Sequence, residues 1–316
     1  MQQPFTELSV KGCCVSQRHE SDNTVNRYFR LSIAFLALGC SSTASSPGPV
    51  LGPAPNASAP GVSLPGSSGR SWTITPATEP RRYSSTATVS LELVSDSATI
   101  REAITQRTRF TLLTGSASGS TSFLGSVEAL STDTPARIGQ PAPLPVFPIS
   151  FTGHIVNGTI TLDALNGQSA VASMQCSNPA VSALNVVQRN VIILPTQLTQ
   201  GMTWRDSTTA AGCSGSIPIT TISIRNYRVI GEIEVSGRAA IAIERTEKTL
   251  STGEGSENQH RVLLRTEATG NTKIYVDRFS GALLSSEGEQ RADVTVAAGR
   301  AQRFKQTVKE TTTVEN

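Results

Sequence analysis

The residue of this chain best placed to do chemistry is Cys40, a thiol that directly follows a short apolar run. Nine small or apolar residues, 31–39, stand between Arg30 and this cysteine. A charged segment, a short apolar stretch and a small residue at the cut are the order found in a secretory signal peptide. A membrane span would need about 18 or more apolar residues. We therefore predict that residues 1–39 are a signal peptide and that the protein is exported.

The first 24 residues are polar and unlike the start of a signal peptide. A valine codon can serve as a bacterial start, and Val25 lies just before the charged segment. We therefore predict that translation begins near Val25 and that residues 1–24 reflect a mis-annotated start.

The end of the signal resembles the lipobox of bacterial lipoproteins, in which a small residue precedes a cysteine. Gly39 and Cys40 match that pattern, and Leu36 lies a little further back. The resemblance implies that Cys40 is lipidated, becomes the mature N-terminus and anchors the chain to a membrane. Because Ser41 rather than Asp follows the cysteine, we expect the outer membrane of a two-membrane host, facing the periplasm or the surface. In a single-membrane host we expect the cell surface. The alternative is an ordinary cleavage near residues 37–39 with an incidental cysteine.

Two cysteines, Cys176 and Cys213, remain if residues 1–39 are removed and Cys40 is lipidated. A single pair in an exported chain is a disulfide candidate, because the periplasm and the cell surface are oxidising. The alternative is a pair of buried free thiols. A metal site is disfavoured, since no histidine or third cysteine lies near either of them in the sequence.

The rest of the chain shows no arrangement typical of catalysis. The histidines beyond the signal, His154 and His260, are far apart, and no serine lies in a Gly-x-Ser-x-Gly elbow. The sequence has no His-Glu-x-x-His, no Cys-x-x-Cys and no phosphate-binding glycine-rich loop with lysine. We predict a protein that is not an enzyme and that holds no cofactor and no metal.

The balance of charge argues against a nucleic-acid partner. The chain has 27 Lys and Arg against 24 Asp and Glu, a net charge of +3. It has no basic stripe interleaved with aromatic residues for stacking bases. The basic residues Arg300, Arg303, Lys305 and Lys309 are best explained as the solvated face of a strand, and contact with anionic lipid headgroups is the alternative.

Residues 40–80 read as a disordered linker between the anchor and a folded domain. They consist largely of Ser, Pro, Gly, Ala and Thr, and no charged residue lies between Cys40 and Arg70. Such a stretch has too few bulky apolar residues to offset the entropy of ordering. We expect Trp72 to be a loose anchor within this linker.

From Arg81 onward the composition predicts antiparallel β structure, with short runs of Thr, Val, Ile, Ser and Leu between turn residues. Asn157-Gly158 predicts a hairpin. Asn178-Pro179 and the apolar spacing that follows predict a helix over 180–189. We predict a mainly β domain over 81–312, a curved antiparallel sheet (half-barrel or sandwich-like) with one or two short helices, and a tail at 313–316. The predicted strands are 86–94, 107–113, 121–130, 149–156, 159–165, 202–207, 219–230, 239–248, 261–266, 272–277, 282–287, 293–297 and 301–311.

This order of elements resembles uncharacterised bacterial lipoproteins in which a curved sheet forms a half-barrel with helices over its concave face. Leu194-Pro195 and the Gly-x-x-Trp of Gly201 and Trp204 match. The outline is similar to the periplasmic lipoprotein-carrier and lipid-binding lipoproteins. The resemblance implies a concave apolar cradle for a lipid or another hydrophobic ligand.

Three classes of function follow, namely a tethered module that binds a hydrophobic ligand, a structural or protein-interaction module of the envelope, and an enzyme. The first needs an apolar cavity, whereas the second predicts a filled core. The ligand-binding residues are unknown. As a hypothesis, a concave face would be lined by strand residues that are otherwise simply core, namely Ile222, Ile224, Ile241, Ile243, Ile274 and Val276.

Overall fold

The computed structural model describes residues 69–94, 99–117, 120–133, 146–169, 176, 178–214, 217–257, 260–298 and 300–315. The predicted signal peptide, Cys40 and most of the predicted linker lie outside these residues. The described part forms fourteen strands and one helix: β1 Ser71–Thr73, β2 Arg81–Val94, β3 Thr99–Ala117, β4 Ser120–Asp133, β5 Ile149–Val156, β6 Thr159–Leu165, β7 Gln168–Ser169, α1 Pro179–Asn190, β8 Gln197–Thr199, β9 Thr203–Ser214, β10 Ile217–Val235, β11 Arg238–Glu257, β12 His260–Asp277, β13 Leu283–Ala298 and β14 Arg300–Val314.

Eleven of these strands form one closed barrel, in the order β5-β4-β3-β2-β14-β13-β12-β11-β10-β9-β6, with β6 returning to β5. Ten of the neighbouring pairs are antiparallel, and only β6 and β9 run parallel. The prediction of a mainly β fold is confirmed, but the half-barrel or sandwich is wrong. The β4–β5–β6 hairpins bend round to reach β9, so that the main sheet keeps no open edge between them.

Side chains alternate between the interior of the barrel and its outer surface along much of each strand, although β11 buries four residues in succession, Ala240 to Ile243. On β10, every second residue from Ile217 to Val229 is buried, and those between are half-buried or exposed. On β14 the basic residues Arg303, Lys305 and Lys309 are exposed, as predicted for a solvated strand face, whereas Phe304, Gln306 and Val308 are buried. The sheet therefore has one face toward the interior and one toward solvent, as expected for antiparallel strands.

The parallel contact between β6 and β9 requires a long crossover, and helix α1 lies in that crossover. The predicted helix over 180–189 is confirmed, and the Asn178 side chain caps it by accepting a hydrogen bond from the Ala180 N–H (3.0 Å). Val181, Asn185 and Gln188 are almost completely buried. Because the helix contacts β3, β4 and β9, and its last turn reaches inward-facing groups of β11 and β14, it plugs the barrel.

The predicted disulfide is confirmed. Cys176 and Cys213 are bonded, with their Cα atoms 5.3 Å apart. The bond attaches the turn before α1 to the end of β9, so it fixes one end of the plug helix to the barrel wall.

The folded part begins earlier than the predicted boundary at residue 81. Strand β1 pairs with β8 at one end of the barrel, and Trp72 is buried in the larger apolar cluster there. Composition failed here because β1 has only three residues and one apolar side chain, and its partner is over a hundred residues away. At the other end of the chain, β14 continues to Val314, into the predicted tail.

Several predicted strands are pieces of longer ones. The runs 261–266 and 272–277 belong to β12, and 282–287 and 293–297 belong to β13. The residues between them carry small or polar inward groups, among them Ala268, Gly270, Gly288 and Gln290. These residues interrupt the apolar alternation but leave the strand pairing unbroken.

Strands β4 and β5 combine glycine and phenylalanine at two facing positions. Phe123 faces Gly153, and Gly125 faces Phe151. A Cβ atom on Gly153 would lie 2.7 Å from Cε2 of Phe123, and one on Gly125 would lie 2.6 Å from Cζ of Phe151. Each ring thus covers the glycine on the neighbouring strand, which is one way to bend a sheet into a barrel.

We expect Gly153→Ala to destabilise the barrel by about 1–3 kcal/mol, because the new methyl group overlaps both the Phe123 ring and the carbonyl oxygen of Thr161. Urea unfolding followed by circular dichroism measures the change. Gly255→Ala is the matched control, since among the described residues the nearest atom to its Cβ would be Cγ1 of Ile217, at 3.4 Å. Equal stability of the two variants would contradict the packing argument.

Candidate functional site

The barrel interior contains a polar layer next to two apolar clusters. The larger cluster includes Trp72 and Phe110, and the second includes Val89 and Val294. The polar layer holds six charged side chains, three positive and three negative, that point inward from α1 and the strands. They are Arg189, Asp206, Arg225, Arg245, Glu247 and Glu310.

Arg225 and Asp206 form the most buried ion pair described. Arg225 Nε and Nη2 donate to the two carboxylate oxygens of Asp206 at 2.7 and 3.1 Å. The arginine side chain is 5% exposed and the aspartate side chain 11% exposed. Tyr227 adds a hydrogen bond from its hydroxyl to Asp206 Oδ2 (3.1 Å). The two-point geometry satisfies a charge that would otherwise be costly to bury.

The remaining four charges connect the plug helix to the wall. Arg189 at the end of α1 lies 3.2 Å from Glu310 of β14. Arg245 donates to the Arg189 carbonyl (3.5 Å) and to Thr272 (3.2 Å), and lies 3.6 Å from Glu247. Burial alone would raise the pKa of Glu247, but the charges of Arg245, Arg225 and Arg189 outweigh burial and hold that pKa below its usual value.

This pKa shift predicts an acid-dependent loss of stability. A carboxyl group whose pKa is lowered by folding stabilises the fold above its unfolded pKa of about 4.3, and the gain disappears as the pH falls through the folded pKa. We expect the difference in unfolding free energy between the wild type and Glu247→Gln to be largest near neutral pH and to shrink below about pH 4. Glu244→Gln, on the outer face of the same strand, is the control. A difference that does not change with pH would refute the assignment.

The interior cavity is small and is lined by both polar and apolar side chains. Its volume is about 110 Å³, and its lining includes Thr221, Ser223, Ser251, Thr266 and all of the charged groups above except Asp206. Sites for drug-sized ligands usually have volumes of roughly 300–1,000 Å³ and mostly apolar walls. Among the residues that the structure describes, the Thr266 hydroxyl is buried without a hydrogen-bond partner, as expected beside a space of the size that ordered waters fill.

The structure does not bring the six hypothesised cradle residues together. Ile241, Ile243, Ile274 and Val276 lie in the larger apolar core, and of these only Ile274 borders the cavity. The other two, Ile222 and Ile224, face outward. The concave face lined by all six is therefore wrong, because β10 places residues of even number outside the barrel and β11 and β12 place their isoleucines within it.

Ile222 and Ile224 instead line an open groove on the outer surface, across β10 to β14. Its volume is about 770 Å³. The cross-strand neighbour Leu250 completes a small apolar floor. Four cations stand around it, accompanied by the acids Glu267 and Asp293. The cations are Lys248, Arg265, Arg291 and Lys305.

The two histidines lie on different strands. His154 of β5 contacts Asp163 of β6 at 2.8 Å, on the exposed surface, and His260 begins β12. Within the described ranges, no group of three or more His, Cys, Asp or Glu could hold a metal ion. Among the same residues, no helix is long and apolar enough to cross a membrane.

A further cluster marks the place where the chain enters the barrel. Glu232 accepts hydrogen bonds from Arg70 (2.8 Å), the Trp72 indole (3.3 Å) and Arg278 (2.6 Å). The hydrogen bond from Arg278 is the main reason that the pKa of Glu232 lies below its usual value. Arg278 also lies over the ring of Phe279, 5.0 Å from its centroid.

Sequence reasoning missed these charged residues, although one signal was present. Arg225 and Tyr227 share the odd-numbered positions of β10 with Ile217 and Ile219, and so they had to face the interior. A charge at an inward position predicts a buried partner. The partner itself, Asp206, lies on another strand and leaves no local mark in the sequence.

Compared with models of protein families and with curated proteins, the chain matches none.

Proposed function

We propose that this protein is a non-enzymatic lipoprotein of the cell envelope, exported and tethered to the membrane through a lipid on Cys40. The residues before Cys40 support export, and the linker composition supports a tether. The disulfide supports an oxidising location, because such bonds are rare in reducing compartments. In a two-membrane host the protein belongs to the outer membrane.

The filled interior favours a structural or protein-interaction module over a carrier of a hydrophobic ligand. The single observation that carries this choice is the plug helix, with its charge-balanced surroundings and a cavity of only about 110 Å³. An acyl chain in that space would have to displace the ion pairs that hold the helix. The outer surface is therefore the part of the barrel that meets partners.

Intact mass of the protein purified from the membrane fraction tests the anchor. We expect a mature chain that begins at Cys40 and carries the added mass of a lipid. A Cys40→Ser variant should lack the added lipid mass and keep the uncleaved signal peptide. A soluble wild-type chain that begins elsewhere would end the proposal.

Titration with a hydrophobic fluorescent probe tests the choice between the two modules. We expect no saturable binding to the folded protein inside the barrel.

One observation supports a second candidate, namely binding of a hydrophobic anion in the outer groove, whose apolar floor is surrounded by Lys248, Arg291 and other cations. Saturable binding lost in Ile224→Asp but retained in Ile230→Asp would select that candidate. Saturable binding retained in both variants would instead support a ligand site inside the barrel.

A further inference from the structure

We propose that the end of the barrel at which the chain enters rests on the lipid surface, with Phe279, Ile230 and Ile233 as its apolar contacts. The proposal rests on the lipid anchor of the proposed function and adds the orientation of the barrel. It names an anionic lipid surface as the partner of this end, which we call the entry face.

The entry face carries the most exposed aromatic ring among the described residues. Phe279 is 65% exposed, and Ile230 and Ile233 are each 40% exposed. Ile233, Ala240 and Asp277 form one row across β10, β11 and β12, and Phe279 follows two residues after Asp277. Exposed apolar groups gathered in one place usually mark an interaction surface.

The turn that presents Phe279 is held rigid. Asp277 Oδ1 accepts hydrogen bonds from the N–H groups of Phe279 (3.1 Å) and Ser280 (2.8 Å). The Phe279 carbonyl accepts one from the Thr75 N–H (2.9 Å). A fixed ring costs little conformational entropy when it enters an apolar environment, which suits a contact surface.

Arginines around these side chains suit an anionic surface. Arg70 is 71% exposed and Arg278 is 40% exposed, and the two share one carboxylate, that of Glu232. The three groups together carry one net positive charge. Arginine next to exposed apolar side chains is the combination that binds the interface of anionic lipids.

The path of the chain brings this same end toward the anchor. The Glu232 contacts and the burial of Trp72 fix residues 70–72 beside Phe279. In the proposed lipoprotein, 28 residues separate Cys40 from Gly69, and a flexible linker of that length has a typical reach of about 30 Å. Since a tether fixed at one face raises the local concentration of that face at the membrane, weak contacts there suffice. A protein partner is disfavoured here, because it would have to fit between the barrel and the membrane to which the lipid on Cys40 ties the barrel.

The experiment places tryptophan at the two ends of the barrel in the lipidated full chain. Phe279→Trp reports on the entry face. Leu263→Trp, 42% exposed near the other end of β12, is the matched control. Each variant is reconstituted into vesicles of phosphatidylcholine and phosphatidylglycerol, with and without brominated acyl chains, which quench tryptophan on contact.

We expect the added emission of Trp at 279 to fall by about half in brominated vesicles, since interfacial groups reach the acyl boundary. The emission added at 263 should not change. Quenching should weaken in vesicles of phosphatidylcholine alone. Protein that floats with the vesicles without quenching at 279, or with equal quenching at both positions, would overturn the orientation but not the anchor. Protein that does not float would refute the anchor itself.

Discussion

Arg225→Met is expected to lower the unfolding free energy by about 3–5 kcal/mol, the cost of leaving a buried charge without its partner. Asp206 is 11% exposed and would keep only the Tyr227 hydroxyl as a hydrogen-bond donor among the contacts described for it. For a domain of this size, the loss corresponds to a decrease in Tm of roughly 10 °C. Thermal and urea unfolding of the variant and the wild type measure both quantities.

The double variant Arg225→Met with Asp206→Leu distinguishes the cost of an unpaired buried charge from the cost of changing the two side chains themselves. Because both charges are then absent, we expect it to recover most of the lost stability. A matched surface pair, Arg265 and Glu267, lies 2.6 Å apart but is 61% exposed on both sides. Arg265→Met should therefore change stability by less than about 1 kcal/mol. If the single variants at 225 and 265 were equally stable, the buried network would have no structural role.

Replacing both disulfide cysteines by serine is expected to destabilise the barrel by about 4 kcal/mol, from the loop of 37 residues that the bond closes. The Tm should fall by roughly 10 °C. The reason is that the unfolded chain gains freedom and that the start of α1 is no longer fixed to β9. Native protein should also resist thiol labelling at Cys176 and Cys213 until it is reduced.

Reduction of the wild-type protein is the control for the serine substitutions. Reduced wild type and the double serine variant should unfold at similar urea concentrations, since both lack the same bond. If reduced protein were as stable as oxidised protein, the closed loop would contribute nothing to stability.

Local signals in the sequence located most of the elements of the fold. The boundaries 149–156 and 159–165 match β5 and β6, and Asn157-Gly158 forms the expected turn with positive φ at both residues. The helix was recoverable because its cap, proline and apolar spacing lie within a dozen residues. Cys176 and Cys213 were recoverable because only two cysteines follow Cys40 in the sequence.

Closure of the barrel could not be predicted, because it depends on one contact between distant segments. No local sequence pattern indicates the parallel pairing of Thr159 with Thr209. The polar interior also made the predicted strands shorter than the observed ones. Gly270 and Gly288 face a charged layer instead of an apolar core. Because the apolar alternation stops there, β12 and β13 were each predicted as two shorter strands.

The seam between β2 and β14 has a consequence for when this protein can fold. Residues 83–93 pair with residues 304–314, so this edge of the first long strand cannot pair until the last strand is present. Contacts of such high sequence separation slow folding, because the chain loses loop entropy before it gains them. The wall cannot close until residue 314 has been synthesised and, in an exported protein, has crossed the membrane. Until then β2 exposes an unpaired strand edge, and a chain truncated before β14 would keep that edge for its whole lifetime.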